Sequence, residues 1–166
     1  VNAIDHDMVE RMEDIDVGAV ILAPGYQAYR AELSEEYGFG RYPNVVTALE
    51  FERMLSASGP THGHIARPSD GADPKRIAFL QCVGSRDKEA HAYCSRVCCM
   101  YALKYSHLIK EKVGHHAQVY DFYIDMRCFG EGYEEFFRRC QEEGTIFVRG
   151  KVAEITNNAI HPDEVG

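Results

Sequence analysis

Short apolar runs separated by polar, turn-forming stretches set the pattern of this chain. The run V-G-A-V-I-L-A at 17–23 is continuous and stops at Pro24-Gly25, as a strand buried on both faces would. Before it, residues 3–16 alternate weakly and carry many charges, which predicts two short strands and a turn. Residues 26–44, with many Gly, Tyr and Glu, read as an irregular loop. From 45 to 55 the period becomes helical, with Ala48, Phe51, Met54 and Leu55 on one face. Thr47 or Asn44 is placed to cap its start. Residues 56–74 are rich in Gly, Pro and Ser and form the clearest candidate domain boundary.

Beyond that boundary the rhythm is regular. R-I-A-F-L-Q-C (76–82) predicts a buried strand, and the polar stretch after it a loop. Residues 94–112 predict a helix with Val97, Tyr101, Leu108 and Ile109 as its apolar stripe, and Gly114 follows near its end. Residues 118–125 predict a strand, Tyr133 to Glu143 a helix closed by Gly144, and 145–149 another strand. K-V-A-E-I (151–155) either pairs with that strand or begins a new one. Strands alternating with helices at this spacing imply an α/β fold with a parallel sheet.

Composition narrows the function. The chain has 166 residues, 45% hydrophobic and 27% charged, as expected of a folded domain or part of one. Its net charge of -8 comes without a basic cluster, which gives no support to nucleic-acid binding. No apolar run approaches the roughly 18 residues of a membrane-spanning helix. A valine at position 1 reads as a chain that begins inside a longer polypeptide.

Four of the six cysteines fall between 82 and 99, in the pattern C-x11-C-x3-C-C. Cys82 is expected at the carboxyl edge of a strand, where open α/β sheets bind ligands. Cys94 is expected to start the next helix, whose positive end favours thiolates, with Cys98 one turn on along the same face. Cys99 lies about 100° further round. Packed thiols, a zinc site and a [4Fe–4S] cluster compete for this set. Zinc favours paired C-x2-4-C spacing, which a lone Cys82 and an adjacent pair fit poorly.

The other polar candidates read as ordinary. His91 reads as solvated, His115-His116 as weak metal candidates, and Cys128 and Cys140 as packed or surface thiols. Glu35-Glu36, Glu134-Glu135 and Glu142-Glu143 read as solvated faces. Where a dinucleotide fold has G-x-G-x-x-G, this chain has Q-C-V-G-S-R-D, so cysteines stand where a phosphate cradle would be. Arg86 could bind an anion there, although a surface salt bridge is its more ordinary role.

These residues carry a resemblance. A-F-L-Q-C-V-G-S-R-D (78–87) followed by Y-C-S-R-V-C-C-M-Y-A (93–102) closely resembles the A subunit of the heterodisulfide reductase family. So do Y-P-N-V-V-T-A-L-E-F-E-R-M-L-S-A-S-G-P-T, R-P-S-D-G and F-G-E-G-Y-E-E-F, and the likeness covers nearly the whole chain. The family's flavin core is similar to that of thioredoxin reductase. The resemblance therefore implies a Rossmann-like, three-layer inserted domain with a parallel sheet, plus a partial FAD-domain segment. It divides the chain into an FAD-domain segment at 1–55, a linker at 56–74 and the inserted domain at 75–166.

The resemblance assigns Cys82, Cys94, Cys98 and Cys99 as ligands of a [4Fe–4S] cluster. It places Ala23, Pro24, Gly25 and Tyr26 against FAD, with Pro24 where threonine is usual and so one backbone N–H fewer. The Gly84-Ser85 backbone and Arg86 are candidates for a supporting role. The implied function is electron transfer between FAD and iron–sulfur centres, linked to flavin-based bifurcation, with the segment alone inactive. The implied partners are the other subunits of such a complex and a hydrogenase, dehydrogenase or ferredoxin, in the cytoplasm or at a membrane-associated assembly. A component of a quinone-interacting membrane-bound oxidoreductase is a sibling reading, and a zinc-stabilised interaction domain is a reading of another class.

Overall fold

The structure, a computed structural model, describes residues 3–157. Position 1 and the end of the expected 75–166 unit lie outside the described residues. Three strands, β1 (Arg76–Leu80), β2 (Gln118–Tyr123) and β3 (Thr145–Arg149), form one parallel sheet in the order β1-β2-β3. In register, Phe79 lies beside Asp121, and Asp121 beside Phe147. Helix α2 (Cys98–Lys112) links β1 to β2, and α3 (Tyr133–Glu142) links β2 to β3. The two helices touch each other, and α2 packs on β2 while α3 packs on β3. Right-handed crossovers between neighbouring parallel strands place both helices on one face in this way.

Helix α1 (Ala48–Leu55) joins the same core. Thr47 caps it in a full capping box: Glu50 N–H donates to Thr47 Oγ1 at 3.3 Å, and Thr47 N–H donates to Glu50 Oε2 at 2.7 Å. Asn44 instead accepts from the Ser69 N–H. Phe51 and Leu55, one turn apart, are the buried positions of α1. They pack with Ile65, Tyr105, Ile109, Ala117 and Val119. Phe51 meets Phe79 and Tyr105 edge-on, with ring centroids 5.8 and 5.3 Å apart. Ile65, inside the expected 56–74 linker, is therefore a core residue.

Several expectations are corrected. Residues 17–23 form no strand; they are exposed throughout, Ile21 at 90%. No sheet edge among the described residues receives them, and a lone extended run cannot bury itself. Residues 3–16 contain the expected turn, closed by Asp7 N–H donating to Asp5 Oδ1, but no strands. Residues 151–155 do not extend the sheet. They cross to two 3-10 turns, Ala31–Leu33 and Glu35–Tyr37, where Ile155 N–H donates to the Glu36 carbonyl and the Tyr37 hydroxyl to the Val152 carbonyl.

The expected three layers reduce to two among the described residues. Leu80, Tyr120, Phe122, Ile146 and Val148, on the face away from α2 and α3, remain half-buried or exposed. Glu143 is not a solvated charge: its half-buried carboxylate accepts from Arg139 and pairs with His107 at 2.8 Å. Among the described residues no helix is long and apolar enough to cross a membrane.

Candidate functional site

The cysteine segment lies beyond the carboxyl ends of β1 and β2, where side chains of different strands can converge on one point. The chain leaves β1 through Cys82 at φ +60°, turns again at Gly84 at +66° and at Arg86 at +57°. Ser85 N–H donates to the Cys82 carbonyl and closes this first turn. The loop then folds back on itself. Arg86 N–H donates to the Tyr93 carbonyl and Asp87 N–H to the His91 carbonyl. The buried Ser85 hydroxyl donates to the Tyr93 carbonyl at 2.8 Å and accepts from Ser95 N–H at 3.2 Å. Lys151, just past β3, ties the loop down through Asp87 at 2.7 Å.

Cys94 does not start the helix. Arg96 adopts φ +65°, outside helical space, so α2 begins at Cys98. Cys94 and Cys98 thus do not share a helical face as the period suggested. Cys94 instead sits half-buried on its own turn, its Sγ accepting from Arg96 N–H at 3.3 Å. Among the described residues, non-glycine backbone with positive φ occurs at Cys82, Arg86 and Arg96 in this loop and otherwise only at His62. Side-chain-bearing residues in that region are disfavoured and persist where their surroundings hold them, commonly at functional sites.

Cys82, Cys98 and Cys99 are buried and come together. Cys98 is held far below the ordinary thiol range, first by a hydrogen bond from Cys82, then by those from Cys99 and Ser95. Cys82 and Cys99 are pushed up, each first by its bond to Cys98 and then by burial. The Ser95 hydroxyl donates to Cys98 Sγ at 3.5 Å, and Cys99 Sγ donates to the Asp125 carbonyl at 3.7 Å. Cys98 Sγ thus accepts from the Ser95 hydroxyl with Cys82 and Cys99 buried around it, and Cys94 and Cys98 both act electrostatically on Cys82. Among the described residues no group of three or more His, Cys, Asp or Glu is spaced around a single metal ion.

Of the residues expected to face FAD, Ala23, Pro24 and Gly25 are exposed, and Gly25 turns the chain at φ +78°. Tyr26 is also exposed, yet lies near enough to Tyr101 to raise its hydroxyl. Burial is the main cause of that rise, and the negative charge of Cys98 the next. The stretch after Tyr26 reaches the loop directly: the Tyr29 ring lies over Gly84, where a Cβ would approach it to 2.3 Å. His91 is exposed and stacks on Tyr93 with centroids 5.1 Å apart. Cys140 is wholly buried, its Sγ donating to the Leu103 carbonyl. Cys128 is half-buried, and His115 and His116 are exposed after α2.

Two carboxylates next to the site were not singled out from sequence. Asp125 follows β2 and pairs with Arg86 at 2.8 Å, Arg149 at 3.6 Å and Arg127 at 3.8 Å. Asp121, in β2, is fully buried; its Oδ2 accepts from the Gln81 amide at 3.3 Å and its Oδ1 has no partner among the described residues. Burial pushes Asp121 up to about 7, with the Cys98 charge adding to the rise and Gln81 opposing it. A signal for Asp121 was present: it falls two residues after Val119, on the core-facing alternation of β2.

No protein-family model matches the chain. Among curated proteins it is 51% identical over 158 residues to the A subunit of the H2:CoB-CoM heterodisulfide,ferredoxin reductase of Methanothermobacter thermautotrophicus, covering 94% of this chain and 24% of that protein. It is 52% identical over 153 residues to the iron-sulfur A subunit of the CoB–CoM heterodisulfide reductase of Methanocaldococcus jannaschii, covering 91% of this chain and 23% of the relative. It is 49% identical over 154 residues to the A subunit of the ferredoxin/F420H2-dependent CoB-CoM heterodisulfide reductase of Methanosarcina acetivorans, covering 92% of this chain and 19% of the relative. The chain thus spans about a quarter or less of the length of the relatives it matches. Over nearly all of its own length, it is a homologue of one segment of the heterodisulfide reductase A subunit.

Proposed function

We propose that this chain is the cysteine-bearing electron-transfer segment of a heterodisulfide reductase-type subunit, in which Cys82, Cys94, Cys98 and Cys99 hold a [4Fe–4S] cluster. The observation that carries the reading is the burial of Cys82, Cys98 and Cys99 at the junction where the chain leaves β1 and enters α2, with Cys94 on the turn between them. The name of the Methanocaldococcus relative, an iron-sulfur subunit, points the same way. The donor set suits such a cluster: thiolates from one strand end, one turn and the first residues of a helix, at irregular spacing. Bound there, the cluster would supply one-electron oxidation and reduction.

The chain's own residues supply the rest. Ser95 and the start of α2 stabilise negative sulfur, and burial excludes water from Cys82, Cys98 and Cys99. Ser85 staples the loop so that Cys94 stays beside the other three. Ala23, Pro24, Gly25 and Tyr26 are the stretch we assign to the flavin side. Tyr26 and Tyr101 mark the approach from there to the thiols. The partners we assign are the remaining subunits of such a complex and a hydrogenase, formate dehydrogenase or ferredoxin-type donor, in keeping with the relatives' names.

The test is iron, acid-labile sulfide and zinc in the anaerobically purified full-length subunit, wild type and Cys98→Ser. About four irons and four sulfides fewer in the variant, with the fold retained, is the expected result. Zinc in place of that iron would overturn the reading in favour of a structural metal site.

A further inference from the structure

We propose that Arg86, ion-paired with Asp125, is the charge that sets how readily the cysteine site accepts an electron. The inference rests on the reading above, that these cysteines hold an iron–sulfur cluster.

Arg86 stands four residues after Cys82 on the same tight turn, with its own backbone at φ +57°. A surface salt bridge would not require that conformation. Here it is held by Arg86 N–H donating to the Tyr93 carbonyl. Its side chain is 23% exposed, and Nη1 is closed off from solvent, 2.8 Å from Asp125 Oδ2. Asp125 is itself part of the thiol site, because its carbonyl accepts from Cys99 Sγ. Arg127 and Arg149 share the same carboxylate but are 42% and 76% exposed, so water and salt screen them far more than Arg86. In a chain of net charge -8, three guanidinium groups around one carboxylate leave a local positive excess at the sheet end that carries the cysteines.

Reduction adds one electron, hence one negative charge, to a site already bearing thiolates. No bond forms or breaks and no proton moves. A fixed cation nearby favours the reduced state and a fixed anion opposes it. Arg86 and Asp125 should therefore act with opposite signs, which a purely structural pair would not do.

The experiment is a potentiometric titration with dithionite, read by EPR, on the anaerobic full-length subunit. The samples are wild type, Arg86→Gln, Arg86→Lys and Asp125→Asn, each with its iron and sulfide measured first. Arg86→Gln is expected to make reduction about tenfold less favourable, ~59 mV more negative for a one-electron couple. Arg86→Lys should stay near wild type, and Asp125→Asn should move to more positive potential. Shifts of the same sign in Arg86→Gln and Asp125→Asn, or no shift in either with iron retained, overturn the proposal. If Arg86→Gln loses its iron, Asp125→Asn decides alone: a positive shift supports the assignment and its absence overturns it. Wild-type protein lacking iron at these cysteines would instead overturn the underlying reading, and this proposal with it.

Discussion

Replacing Asp121 by Asn tests whether the β2 carboxylate is held protonated by its surroundings. The side chain is 0% exposed, and among the described residues its Oδ1 has no partner and its single hydrogen bond comes from Gln81 at 3.3 Å. Burial, with the Cys98 charge adding, raises it from 3.8 to about 7. The folded chain therefore binds this proton more tightly than the unfolded chain. The resulting stability is complete below the unfolded value and is lost as pH rises through about 7. At about 1.4 kcal/mol per unit, the loss is about 4 kcal/mol at most. Asn has nearly the same shape and no proton to lose. Any pH-independent cost of its amide displaces the whole curve without changing its slope. Urea denaturation of both proteins between pH 4 and 8.5 should thus show the variant gaining on wild type by up to about 4 kcal/mol. That is a relative midpoint shift of about 2 M for an m-value near 2 kcal/mol per M. All other titrating groups are common to both proteins, so the difference isolates Asp121. A difference that stays constant across this range would refute the argument that burial keeps the carboxyl neutral.

Two further substitutions test the frame of the site. Gly84→Ala places a methyl group 2.3 Å from the Tyr29 ring on backbone at φ +66°, and should cost roughly 1–3 kcal/mol in chemical denaturation, with Tyr29→Ala relieving part of it. Ile109→Ala empties a fully buried position between α2 and the sheet and should cost about 2–5 kcal/mol by the same measurement, without altering iron content in the full-length subunit.

The parts of the fold that were legible are those whose cause is local. Thr47, one of the two candidate caps, marks the start of α1, where its capping box with Glu50 spans only four residues. The strands at 76–80, 118–123 and 145–149 carry β-branched and aromatic residues between turn signals, and Gly144 stops α3 at φ +85°. What was not legible depends on distant partners. The run 17–23 has the composition of a buried strand, yet composition cannot supply the neighbouring strand its backbone would need. The helical period continued back to Cys94 because nothing in C-S-R-V forbids a helix. In the fold, Ser85 donates to the Tyr93 carbonyl and accepts from Ser95 N–H, Arg96 takes left-handed backbone, and Cys94 comes in from a separate turn.

The site shows the same division. The spacing of the four cysteines marked them as candidates, and the structure buries Cys82, Cys98 and Cys99 where the loop joins β1 to α2. The spacing could not reveal Asp125 or Asp121, which reach the thiols only because β2 is the parallel neighbour of β1. Parallel pairing brings the carboxyl ends of strands distant in sequence to the same edge. The cysteines and Arg86 come from the loop after β1, while Asp121 comes from β2 and Asp125 from the segment just past it. Tuning of the thiol site by protein charge can therefore draw on the loops after both strands, and a search confined to residues 82–99 would find Arg86 and the ion-paired Asp87 but miss the Asp125 that pairs with Arg86.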